Sequence, residues 1–100
     1  MYDVRLTKQA QKDAVNVERA GLKPKAVEII KTVRENPFEE SQEFERLKGG
    51  LKSACSRCIN RQHRFVYEVL PNEENALDAD GEPYTGIVKV INMWTHHDNT

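Results

Sequence analysis

A loop carboxylate, a strand arginine and two adjacent imidazoles are the residues of this 100-residue sequence whose types could do chemistry together: Glu45, Arg64 and the pair His96-His97. They are the parts of a metal-free phosphodiester transesterification. Cleavage of RNA by that route needs a base to deprotonate the ribose 2′-hydroxyl, an acid to protonate the departing 5′-oxygen, and a cation for the charge that gathers on phosphate. Each residue type fits one of these roles.

The distribution of charge favours the same substrate class. The net charge is only -1, but Arg46, Lys48, Lys52, Arg57, Arg61 and Arg64 follow one another with no acidic residue between the first and the last. Glu73, Glu74, Asp78, Asp80 and Glu82 form an acidic stretch with no basic residue inside it. Two opposed regions hide behind a near-neutral sum. The basic one suits an anionic partner, and single-stranded RNA joins cationic backbone contacts to stacking side chains.

Plainer readings compete at each position. On type alone Glu45 is a solvated carboxylate, and Arg64 can pair with Glu68 on the same strand face for little gain. His63 reads as a structural residue beside a turn, and Trp94 as a sheet-packing residue. Cys55 and Cys58 form a C-x-x-C pair that, with His63, His96 or His97, could be written as a zinc set. Three residues apart on a strand they point to opposite faces, unlike the turn that zinc ligands usually occupy, so no metal is expected. No helix N-terminus follows Cys55 to activate it as a redox thiol.

The elements that must carry these residues follow from periodicity and turn signals. Residues 2–6 alternate and predict a first strand, after which Thr7 is a helix N-cap. Ala10, Ala14 and Val17 predict an amphipathic helix stopped by Gly21. Pro24 suits the first turn of a second helix, with Ala26, Ile29, Ile30 and Val33 on one face and Asn36-Pro37 ending it. Residues 37–50 read as a loop, with room for a turn of helix near Leu47. Residues 54–60 and 63–70 predict a hairpin turning at Arg61-Gln62, with Phe65, Tyr67 and Val69 on one face of its second strand. Residues 71–84 are a long loop or hairpin tip with a turn at Asp80-Gly81. Residues 86–94 are the best strand candidate.

The order β-α-α-β-β-β predicts an α+β domain spanning 1–100, with an N-terminal strand and a helical hairpin packed on one face of an antiparallel sheet. The opposite face is left for a ligand. With 38% hydrophobic and 31% charged residues the chain has the composition of a globular domain, too small for a separate cofactor domain. No apolar run reaches the roughly 20 residues of a membrane span, and the first residues lack the pattern of an export signal. No cofactor and no membrane partner are expected, and two cysteines leave a reducing cytoplasm as the default location.

The segments Pro37-Phe38-Glu39, Glu45-Arg46-Leu47-Lys48, Leu51, Ser56-Arg57 and His63-Arg64-Phe65-Val66-Tyr67, with Trp94-Thr95-His96-His97 later, resemble in order the YoeB branch of the RelE/ParE toxin superfamily. The match is in register from Pro37 to Tyr67, and the N-terminal strand and helical pair fit in pattern. The resemblance implies a metal-free messenger-RNA endoribonuclease that acts in the A site of a translating ribosome, pairs with a YefM-like antitoxin, and forms a homodimer. It puts Glu45 on the family's general base, Arg64 on its phosphate-stabilising arginine and His96 on its general acid. Lys48 and Arg57 fall at or beside cationic positions near the phosphate. His97 replaces the tyrosine usual after the acid, and Cys58 stands where another arginine is expected. The rival expectation on the same scaffold is a ParE-like module that inhibits a protein such as gyrase without cutting RNA.

Overall fold

The computed structural model describes residues 1–47 and 54–94. Five strands and two helices follow one another as β1 (Tyr2–Leu6), α1 (Lys8–Arg19), α2 (Lys23–Glu35), β2 (Glu45–Arg46), β3 (Ala54–Cys58), β4 (Arg64–Pro71) and β5 (Gly86–Asn92). The helices cover one face of a single sheet of order β1-β5-β4-β3-β2. This is the expected α+β architecture.

Local chemistry sets the helix ends. The Thr7 hydroxyl accepts from the Ala10 amide at 3.1 Å and caps α1. At the other end Gly21, at φ +76°, lets the Gly21 and Leu22 amides return to the Glu18 and Val17 carbonyls, closing the helix with a Schellman motif. Ala10, Asp13 and Val17 of α1 and Ala26, Ile29 and Val33 of α2 are buried, one face of each helix, against Cys55, Phe65, Tyr67, Val88 and Val90 of the sheet. No described helix is long and apolar enough to cross a membrane.

Two expectations change. The sheet is mixed, because β1 runs parallel to β5, from Tyr2 opposite Gly86 to Leu6 opposite Val90. The direction of a strand leaves no trace in its own alternation. What sets it here is Thr7, whose amide and hydroxyl donate to the carbonyls of Val90 and Ile91 at 3.1 and 3.0 Å, tying the start of α1 to the far end of β5. The second change lies before β3. In place of a turn of helix, Glu45 and Arg46 form a two-residue edge strand opposite Ser56 and Cys55, extended by the Leu47 amide on the Ala54 carbonyl at 2.9 Å.

The acidic segment is an ordered hairpin tip. Asn72 clasps it by donating to the Ala76 and Tyr84 carbonyls, and Leu77 bridges Pro83. Its turn falls at Asp80-Gly81, where Gly81 adopts φ +82°. In β4, Phe65 and Tyr67 face the helices and are fully buried, as their alternation predicts, and a register shift between Val66 and Tyr67 bends the strand against β5.

A candidate active site on the open sheet face

Antiparallel register places Glu45 of β2 opposite Ser56 of β3, and Arg64 of β4 opposite Cys58. Paired residues share a face, so these four lie on the side of the sheet away from the helices. Arg64 Nε donates to Ser56 Oγ at 2.9 Å and Nη2 donates to the Glu43 carbonyl at 2.7 Å. The guanidinium thus held comes within 3.8 Å of Glu45 Oε1. The Glu45 side chain is 64% exposed and that of Arg64 34%, so a base and a cation stand side by side and open to a ligand. An exposed pair of this kind adds little stability. Arg64 does not pair with Glu68, which lies 4.0 Å from Lys89 instead.

Arg57, expected beside a phosphate, is elsewhere. It is fully buried on the opposite face. Its Nε donates to Tyr67 Oη at 3.0 Å, Nη2 donates to the carbonyls of Pro37 and Glu39 at 3.1 and 2.7 Å, and Nη1 donates to the Ser41 carbonyl at 2.9 Å. Phe44 lies under the same guanidinium, 4.8 Å from ring centroid to Cζ. The reason is parity: Arg57 directly follows Ser56, so the strand turns it to the opposite face, inward. The residue on the open face is Cys58, whose thiol donates to the Asn60 carbonyl at 3.3 Å and is pushed up by burial and by Glu43. Cys55 faces the core, and burial raises its thiol too.

The loop before Glu45 takes an uncommon path. Gln42 and Glu43 adopt φ +54° and +53°, left-handed values that cost an L-residue roughly 1–2 kcal/mol each. The Gln42 carbonyl accepts from the Cys58 amide at 2.8 Å, and the Gln42 amide group donates to Glu28 and Thr32 of α2 at 3.0 and 3.1 Å. The bond from Gln42 holds Glu28 below the usual carboxylate range.

The last described residues lie against the start of β4. Asn92 pairs with Val66, and the Trp94 ring stacks on His63 with centroids 3.8 Å apart and planes at 16°. Asp13, buried in α1, accepts from the Met93 amide at 3.0 Å and from Gln9 at 2.8 Å. Met93 and Trp94 are thus each held, one by Asp13 and the other by His63. His96, His97 and Lys48 lie outside the described residues. Asp13 went unnoticed in the sequence although it stands in the stripe of Ala10 and Val17, where a polar residue signals a buried partner.

No family model and no curated protein matches the sequence. Solved structures do. A YoeB/ParE toxin from Agrobacterium tumefaciens superposes with a TM-score of 0.72 at 25% identity, over 95% of this chain and 99% of that one. YoeB in a heterotetrameric YoeB-YefM complex from Staphylococcus aureus gives 0.69 at 23% identity, over 97% and 99%. The Escherichia coli DinJ-YafQ complex gives 0.69 at 12% identity, over 96% and 94%. The chain has the RelE/ParE toxin fold, and the likeness runs to the YoeB branch.

Proposed function

We propose that this chain is the toxin of a type II toxin-antitoxin pair and an endoribonuclease that cuts messenger RNA on the translating ribosome. The observation that carries the reading is the Glu45 carboxylate 3.8 Å from an Arg64 guanidinium fixed by Ser56 and Glu43, on the sheet face away from the helices. Glu45 removes the proton from a ribose 2′-hydroxyl, whose oxygen attacks the adjacent phosphorus. Arg64 stabilises the charge on the phosphoryl oxygens, and the bond to the 5′-oxygen breaks. A 2′,3′-cyclic phosphate and a 5′-hydroxyl remain.

His96 protonates the leaving oxygen. Lys48 and His97 supply further contacts to the RNA. The antitoxin is YefM-like and the toxin dimerises, a reading supported by the heterotetrameric YoeB-YefM complex from S. aureus, and the pair acts in the cytoplasm.

Primer extension on messenger from cells expressing the chain tests this. Wild type is expected to arrest growth and produce discrete breaks, and Glu45→Ala, Arg64→Ala and His96→Ala are expected to abolish both while remaining folded. Growth arrest without any break in messenger would contradict the reading.

A further inference from the structure

Arg57 is the largest fully buried side chain among the described residues, and nothing in the cleavage chemistry uses it. Its guanidinium nevertheless has a definite set of partners. Four of its acceptors, the carbonyls of Pro37, Glu39 and Ser41 and the side-chain oxygen of Gln42, belong to six consecutive residues of the loop leading to Glu45. The Tyr67 hydroxyl accepts a hydrogen bond from Nε and itself donates to the Pro37 carbonyl, so the same loop end is held twice. A planar guanidinium with five donors in fixed directions suits such a set; an ammonium does not.

Those bonds fall on the residues that turn the backbone into its two left-handed steps at Gln42 and Glu43. Beyond the steps the chain enters β2, and the Glu43 carbonyl and Glu45 carboxylate both meet Arg64. The loop is gripped by one arginine from inside and by another from outside. Arg57 stands directly between Ser56 and Cys58, the open-face neighbours of Glu45 and Arg64, so one short strand supplies both grips.

We propose that Arg57 is a positioning residue for the base: through the loop carbonyls it fixes where the Glu45 carboxylate stands relative to Arg64. The proposal rests on the reading of Glu45 as the base of RNA cleavage. Loss of the guanidinium lets Gln42 and Glu43 leave their left-handed conformations, and Glu45 then samples positions away from the ribose hydroxyl. RNA still binds, because Arg57 itself is buried and touches none of it.

Single-turnover cleavage of ribosome-bound messenger by the full chain tests this with Arg57→Lys, Glu45→Gln and the double variant. Arg57→Lys is expected to cleave at least tenfold more slowly at saturating substrate, with half-saturation within about twofold of wild type. In the double variant the rate is expected to equal that of Glu45→Gln alone, since both changes act through one carboxylate. Multiplying losses, or an unchanged rate in folded Arg57→Lys, would overturn the proposal. Tyr67→Phe, which removes one hydroxyl and keeps the arginine, applies the same test at smaller amplitude if the Arg57→Lys chain does not fold. A wild-type protein that cuts no RNA would overturn the reading of Glu45 itself, a result separate from any of these.

Discussion

Arg64 crosses β3 to reach Glu45. Its Nε rests on Ser56 Oγ at 2.9 Å while its Nη2 lies 3.8 Å from the Glu45 carboxylate. The shorter bond goes to a neutral hydroxyl that is 1% exposed, and the longer contact to a charge that is open to water. Such an arrangement fixes the cation and leaves the carboxylate available, the reverse of what a stabilising ion pair would need.

Ser56→Ala therefore separates orientation from folding. The guanidinium keeps its bond to the Glu43 carbonyl and its access to water, so unfolding in urea is expected to shift by about 1 kcal/mol or less. The cleavage rate is expected to fall roughly tenfold, the 1.4 kcal/mol a single lost orienting bond represents. Equal rates in Ser56→Ala and wild type would show that Ser56 does not hold the arginine for catalysis.

Asp13 is the buried carboxylate among the described residues, and it receives the Met93 amide at the exit of β5. Asp13→Ala leaves that amide without this acceptor and is expected to destabilise the domain by about 1–3 kcal/mol in chemical denaturation. Asp13→Asn retains an acceptor and is expected to lose less. Equal losses in the two variants would mean that the charge, rather than the acceptor, matters.

How much of this was legible beforehand differs by residue. Ala10, Val17, Ile29 and Val33 announced their helices by spacing alone, and the alternation of Phe65 and Tyr67 announced the inner face of β4. Glu45 and Arg64 were legible as residue types, but their approach depends on the pairing of β2 with β3 and of β3 with β4, which is a property of register. Arg57 was misread because charge and a neighbouring motif suggested a ligand, whereas strand parity decides which face a side chain takes. The parallel β1 was invisible because the Thr7 bonds to β5 join residues more than 80 positions apart.

Burial pushes the Tyr67 hydroxyl up to about 12, against an ordinary value of 10, with the bond from Arg57 opposing the shift. The folded state thus holds this proton more tightly than the unfolded state. The contribution of the protonated hydroxyl is complete below pH 10 and is lost as pH rises from 10 through 12, by up to about 2–3 kcal/mol. Denaturant midpoints measured across that range should fall faster for wild type than for Tyr67→Phe. Parallel curves would mean that the hydroxyl does not ionise at a cost to the fold.

The contact of Arg5 with Glu74 offers a contrast. At 2.8 Å it is short, and it draws the carboxyl below its usual range, yet both side chains are exposed. Glu74→Gln is expected to leave the thermal midpoint unchanged within error, since solvent screens the pair. A fall of several degrees would show that the acidic hairpin is anchored to β1 through this bond.

The central claim is that Glu45 and Arg64 act as base and cation in RNA cleavage. Its most direct measurement is the single-turnover rate on ribosome-bound messenger for wild type, Glu45→Gln and Arg64→Ala, each with its fold verified by circular dichroism. Losses of at least a hundredfold in both variants, with a 2′,3′-cyclic phosphate and a 5′-hydroxyl at the wild-type break, are the expected result. Wild-type rates in either folded variant would contradict the assignment.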